Sequence, residues 1–288
     1  MNGVINFLKP PGMSSNGAVI YLRGILGGVK TGHAGTLDPG ACGVLPICVG
    51  RATKVSSYLM GGAKEYVAEI TFGKSTDTGD SYGRVTGVSN SAAPSPEQVK
   101  EALKRFKGDL VQQTPAYSAV KLGGQKSYEL ARRGVEVPAK QRDIVIHDIE
   151  YLYCTRPDAH LIRVACGKGT YIRALCEDIG KSLGTLGCMS FLVRTKCAGL
   201  DIASSVTADE LKIPGKAEEA LIPVESFFES IPAVTADGSR AKLLLNGASV
   251  DFAGSYNETV RVYIENEFAG LGQLKNQKLK ITTFLSDR

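Results

Sequence analysis

Little in the composition favours a metal centre. The 288 residues hold only three histidines, and no two cysteines are spaced as Cys-x-x-Cys, the short spacings from which zinc sites are built. The seven cysteines, at 42, 48, 154, 166, 176, 188 and 197, are odd in number, which argues against a disulfide framework. Cys48, Cys166 and Cys176 lie in apolar runs, where a reduced thiol serves as a small core residue. No apolar run approaches the ~18 residues of a membrane span. The start, Met1-Asn2-Gly3-Val4, lacks the charged-then-apolar layout of a signal peptide. These absences point to a cytoplasmic protein with no membrane partner, and they signal no metal or organic cofactor. Strong charge is missing too. A net +5 is compatible with an anionic partner without identifying one.

What is present is a globular chain long enough for one large domain with a smaller one. Residues 2–8 read as a strand, followed by a turn at Lys9-Pro10-Pro11-Gly12 and a helix that Ser14 or Ser15 can cap, with Val19, Leu22, Ile25 and Leu26 on one face. Residues 44–49 read as a buried strand, then 51–60 as a helix. Residues 64–73 alternate, with Tyr66, Ala68, Ile70 and Phe72 on one side. Ser95-Pro96-Glu97-Gln98 carries a helix-start capping box. A hairpin-like stretch at 109–121, a helix at 125–133, strands at 142–154 and 160–166, a helix from Thr170 and a strand at 187–199 complete the large unit. Strands and helices mix without a βαβ rhythm, so the class is α+β with a mixed, largely antiparallel sheet. Residues 203–232 read as a helical linking segment of that first domain (1–232), and 233–288 as a small β-rich one.

The stretch that concentrates chemistry is Gly32-His33-Ala34-Gly35-Thr36-Leu37-Asp38-Pro39-Gly40. Pro39 biases Asp38 toward extended backbone, so the carboxylate is presented from a loop rather than absorbed into a helix. An Asp-Pro-Gly triplet can equally be a plain turn. A phosphate-loop reading of Gly27 to Gly32 fails, because His33 stands where the lysine belongs. Basic clusters at Lys104-Arg105-Phe106-Lys107, Arg132-Arg133 and Lys140-Gln141-Arg142 could line a nucleic-acid backbone; solvated surfaces explain them as well.

The order of motifs goes further than any one of them. Asn2-Gly3-Val4, Lys9-Pro10-x-Gly12-x-Ser14-Ser15, Gly32 to Pro39, Gly43-Val44-Leu45-Pro46, Lys64-x-Tyr66, Thr76-Asp77-Thr78-x-Asp80, Pro115-x-Tyr117-Ser118-Ala119-x-Lys121 and Gly169-Thr170-Tyr171-Ile172-Arg173 together resemble the bacterial tRNA pseudouridine synthases of the TruB type, from residue 2 to about 200. Leu8 departs from the pattern, since many relatives carry an acidic residue there. The resemblance implies a pseudouridine-synthase catalytic domain that isomerises uridine 55 in the T-loop of tRNA. It implies Asp38 as the catalytic carboxylate, Arg173 as its cationic partner, Tyr66 as stacking ring and helper in removing the C5 proton, and Tyr171 as a hydrogen-bonding catalytic tyrosine. Leu192 would wall the base, Lys9 buttress the loop and His33 enter the T-loop; Gly35, Thr36 and Lys121 are further substrate contacts.

The chemistry is consistent with those residue types. Extracting a base costs a few kcal/mol of stacking, which an aromatic ring returns at roughly 1–3 kcal/mol per base. A carboxylate can stabilise or capture the charge that develops on the sugar, and a nearby guanidinium keeps it ionised where water is excluded. The C-terminal unit resembles a PUA-like RNA-binding domain, with Gly270-Leu271-Gly272 before its last strand, implying phosphate contacts to the acceptor stem by a monomer. Residues 115–140 read as an RNA-gripping arm. Three rival readings are a guide-RNA-dependent synthase, an RNA-folding chaperone with vestigial chemistry, and a carbohydrate enzyme. The last would want a second catalytic acid, and Asp77 and Asp80 read as structural turn residues.

Overall fold

The structure is a computed structural model that describes residues 1–115, 121–122, 125–126, 133, 135, 140–253 and 257–286. Tyr117, Ser118, Ala119, Arg132 and most of the 125–133 helix expected from sequence lie outside the described residues. Lys121 is described only as backbone, in a two-residue strand paired with Gln125–Lys126.

A ten-stranded mixed sheet forms the large unit. Its centre is built from β1 (Gly3–Lys9), β3 (Cys42–Val49) and β4 (Lys64–Phe72), with the short β2 (Thr31–His33) paired to β3. Along the sheet the order is Leu221–Ile222, β1, β3, Gly187–Cys197, β4, Ala159–Cys166, Gln141–Arg156 and Gly108–Gln113. All pairings are antiparallel except that of β3 with Gly187–Cys197. The runs Val4–Phe7 and Val44–Val49 are buried throughout, the polar Asn6 included, as in strands covered on both faces. The parallel pairing places Arg194 opposite Gly43. Gly43 has φ +108°, and a β-carbon there would collide with the Arg194 backbone, so only glycine fits.

Helix α1 (Ser15–Ile25) is capped by Ser14, whose Oγ accepts from the Gly17 N–H at 2.9 Å. That leaves Ser15 for another task. Four expectations are corrected. The 51–60 segment is a 3-10 turn, Gly50–Val55, followed by a short α-helix, Ser56–Gly61. Among the described residues, Gly108–Gln113 pairs with Gln141–Arg156 and with no nearer strand, because Leu110 and Gln112 continue the sheet's inward face at that edge; residues 116–120 of the expected hairpin lie outside the described residues. The 203–232 segment is short turns rather than a helical linker, and it supplies Leu221–Ile222 as an edge strand on Val4 and Ile5. Finally, the last strand of the large sheet's core stops at Cys197.

A separate five-stranded sheet runs from Ala233 to Phe284, with helix Gly238–Leu245 against it and Leu244, Val260, Val262, Leu274 and Leu279 in its core. It is not loosely tethered. Leu271 and Leu285 share an apolar cluster with Val4, Val44, Leu59 and Phe228, the Lys54 ammonium donates to the Phe284 carbonyl at 3.1 Å, and Arg51 donates to the Ser286 carbonyl. Among the described residues, no helix is long and apolar enough to cross a membrane.

Candidate active site

The loop between β2 and β3 is anchored one residue before Asp38. The Ser15 hydroxyl donates to the Leu37 carbonyl (2.9 Å) and accepts from the Leu37 N–H (2.8 Å), both bonds being buried. One residue after Asp38, the Pro39 carbonyl accepts from the Gly12 N–H at 2.8 Å and from the Lys9 ammonium at 3.4 Å. Lys9 is fully buried and also donates to the carbonyls of Pro10 (2.9 Å) and Met13 (2.7 Å). Asp38 thus projects from a segment fixed on both sides, with its side chain 40% exposed.

The partner of Asp38 is Arg173, whose Nε lies 3.0 Å from the carboxylate. Arg173 is in the first turn of the helix Ile172–Ser182 and is buried there, not on the surface; its guanidinium also donates to the Thr78 carbonyl at 2.6 Å. A second carboxylate, Asp80, stands 3.9 Å from the same Nε. Asp80 is a turn residue as read, accepting from Thr78 Oγ1 at 2.7 Å and the Tyr82 N–H at 3.1 Å, but it faces the arginine as well. The start of the helix is held by Gln112. Its side-chain amide accepts from the Tyr171 N–H (2.8 Å) and donates to the Tyr171 carbonyl (3.1 Å).

Tyr66 and Leu192 are both buried, and both face the sheet side that carries Ala68. Opposite Tyr66 in the register is Arg194, on the strand Gly187–Cys197. Arg194 is fully buried. It donates to the carbonyls of Val44 (2.8 Å), Gly35 (3.0 Å) and Thr36 (3.5 Å), and its charge acts on the Tyr66 phenol. Burial pushes that phenol up to about 12, with the Arg194 charge acting against the shift. Gly35 and Thr36 are therefore held by their backbones to the residue that stands opposite the tyrosine. One guanidinium joins the Asp38 loop to Tyr66. His33 ends β2 opposite Ile47, half-buried and five residues before Asp38.

Those features match a known family over most of the chain. The profile for the TruB family pseudouridylate synthase N-terminal domain covers residues 23–172, and that for the tRNA pseudouridylate synthase B C-terminal domain covers 173–229. The chain belongs to the TruB family. It is accordingly a pseudouridylate synthase, an isomerase. Similar chains include the tRNA pseudouridine synthase B of Caldanaerobacter subterraneus subsp. tengcongensis, 43% identical over 97% of this chain and 98% of that one. That of Clostridium tetani is 39% identical over 99% and 100%. Among solved structures, a chain of a Cbf5-Nop10-Gar1 complex matches with a TM-score of 0.74 and 27% identity over 99% of this chain and 85% of that chain.

Within this TruB chain, Arg194, Gln112 and Ser15 were not singled out from the sequence as parts of the site. Arg194 left one trace: an inward-facing cation in a strand whose neighbouring inward position is Leu192. A charge buried in that way is retained only where hydrogen bonds satisfy it. Gln112 leaves none, and Ser15 shows only as a motif residue and a possible helix cap, because their roles depend on segments distant in the chain.

Lys9 yields a pH prediction. Burial lowers its ammonium to about 8, while Asp38 and Cys42 oppose the shift. Above that value the amine keeps two donors for three carbonyls. The turnover rate is expected to fall through an alkaline limb near pH 8, and Lys9→Met should be slower and lack that limb. Stability should not follow. A folded value below the unfolded one means that the unfolded chain binds more protons between about 8 and the ordinary 10.5, so Lys9's contribution to stability rises with pH there. Thermal melting recorded beside the rate profile would sink the idea if both fell together.

Proposed function

We propose that this enzyme acts on tRNA and isomerises uridine 55 of the T-loop. The observation that carries the reading is the Asp38 carboxylate held 3.0 Å from a buried Arg173, in a chain similar over nearly its whole length to proteins named tRNA pseudouridine synthase B. The target base would leave the folded loop and meet Tyr66 and Leu192, while His33 enters the space that it vacates. Asp38 assists cleavage of the bond between N1 and C1′. The base then turns, C5 bonds to C1′, and the C5 proton is lost as N1 regains one, so that nothing is consumed overall. Tyr66 assists removal of the C5 proton next to the Arg194 guanidinium, whose charge favours the ionised phenol oxygen that can accept it. Tyr171 supplies a hydrogen bond, and Lys121 and the 115–140 segment grip the RNA. The C-terminal sheet, read as PUA-like, contacts acceptor-stem phosphates, giving affinity that falls with salt. The protein would work as a cytoplasmic monomer.

The guide-dependent reading has one observation behind it: the 25% identity to chains of H/ACA RNP structures, one of them bound to a substrate RNA. The 38–44% identity to tRNA pseudouridine synthase B chains favours action without a guide. The test is tritium release from a T-arm stem-loop carrying 5-tritiated uridine, with no other RNA or protein present. Release at multiple turnover is expected; none, with binding retained, would reverse the assignment.

A further inference from the structure

We infer that Tyr82 is a stacking platform for an unpaired nucleobase next to the flipped uridine, an inference that rests on the RNA function proposed above. Tyr82 is 76% exposed. A single exposed aromatic needs no explanation by itself, but this one is placed. Its ring lies against Gly40, two residues beyond Asp38, so closely that a β-carbon at position 40 would overlap it. Its backbone N–H donates to Asp80 Oδ1 at 3.1 Å, and the other oxygen of that carboxylate is 3.9 Å from Arg173 Nε. The turn that carries the ring is pinned to the sheet: the Ser81 N–H donates to the Met189 carbonyl (2.9 Å), the Met189 N–H donates to the Gly79 carbonyl (3.0 Å), and the Gly83 N–H donates to the Asp80 carbonyl (3.2 Å).

The consequence is an open aromatic ring at the rim of the carboxylate loop, on a backbone that cannot drift from the Asp38–Arg173 pair. An exposed ring on a fixed backbone loses little freedom when a base settles on it. Stacking on aromatic rings is the usual way in which proteins hold splayed-out RNA bases, and it tolerates any base because each has a π-face. Tyr66 is buried and positioned for the target base. Tyr82 is outside, and its open ring suits a neighbour in the loop. Its contribution belongs to substrate binding, not to the chemical step.

The absence of tryptophan from the chain makes a direct test possible. Tyr82→Trp introduces a lone indole whose fluorescence reports stacking. Titration with the T-arm stem-loop should quench it, and Tyr82→Ala should raise KM about five- to a hundredfold with kcat within twofold. Tyr82→Phe, which keeps the ring, should restore KM. Tyr82→Ala indistinguishable from wild type in KM, together with an unquenched indole in an active Tyr82→Trp enzyme, would overturn the inference alone. Wild type inert toward the stem-loop would overturn the function beneath it.

Discussion

Asp38→Asn should abolish tritium release, lowering the rate on the order of 10⁴-fold or more, the scale seen when an essential group of a catalytic unit is removed. Binding of the stem-loop should stay within about threefold. The substitution is isosteric, and the Ser15 and Gly12 bonds that fix Leu37 and Pro39 do not depend on the charge. The fold should survive as well. Arg173 is buried, and removing its partner would ordinarily strand its charge, yet it would keep the Thr78 carbonyl at 2.6 Å and Asp80 nearby. Single-turnover release measured beside filter binding separates these effects. Residual turnover within a hundredfold of wild type would remove Asp38 from the chemistry; a parallel loss of binding would make it a recognition residue.

The reason that Asp38 could be found from sequence and Arg194 could not is physical. Asp38 sits among residues with strong local meaning, glycines that free the backbone and a proline that restricts it within a few positions, and the whole Gly32–Pro39 motif, which carries the family resemblance, is contiguous. Tyr66 is legible as an inward-facing position in a strand whose alternation is visible, and Leu192 enters through the family resemblance. The antiparallel character of the sheet followed from the missing βαβ rhythm. By contrast, the partners of Arg194 are carbonyls 150 or more residues away, and backbone carbonyls carry no sequence signature. The same holds for Gln112 with Tyr171, and for Leu221–Ile222, whose edge pairing depends on what β1 leaves open. The short 203–232 turns were misread as helix because their apolar residues recur at helical spacing while packing on two different neighbours, Leu211 with the main core and Val224 and Phe228 with the cluster beneath the second sheet.

Arg194→Met should be the most damaging substitution away from Asp38, acting on stability and rate together. A methionine fills comparable length but donates nothing, so the Val44 and Gly35 carbonyls, each bonded at 3.0 Å or less, lose their donor in a buried site. Each such stranded acceptor costs roughly 1–3 kcal/mol, and a loss of about 3 kcal/mol should lower the melting temperature by about 6–12 °C. Below the melting transition, the surviving folded enzyme should still be slow. Gly35 and Thr36 lose their tie to the strand beneath them, and the Tyr66 phenol loses the neighbouring charge that opposes its rise to about 12. Arg194→Lys separates the two roles. Lysine keeps the charge beside Tyr66 but not the guanidinium fork, so it should recover part of the rate while remaining thermally weak. Melting and tritium release on both variants decide the matter. An Arg194→Met enzyme that melts within 2 °C of wild type would show that the fork carries no structural load, and full turnover by that variant would show that Tyr66 works without it.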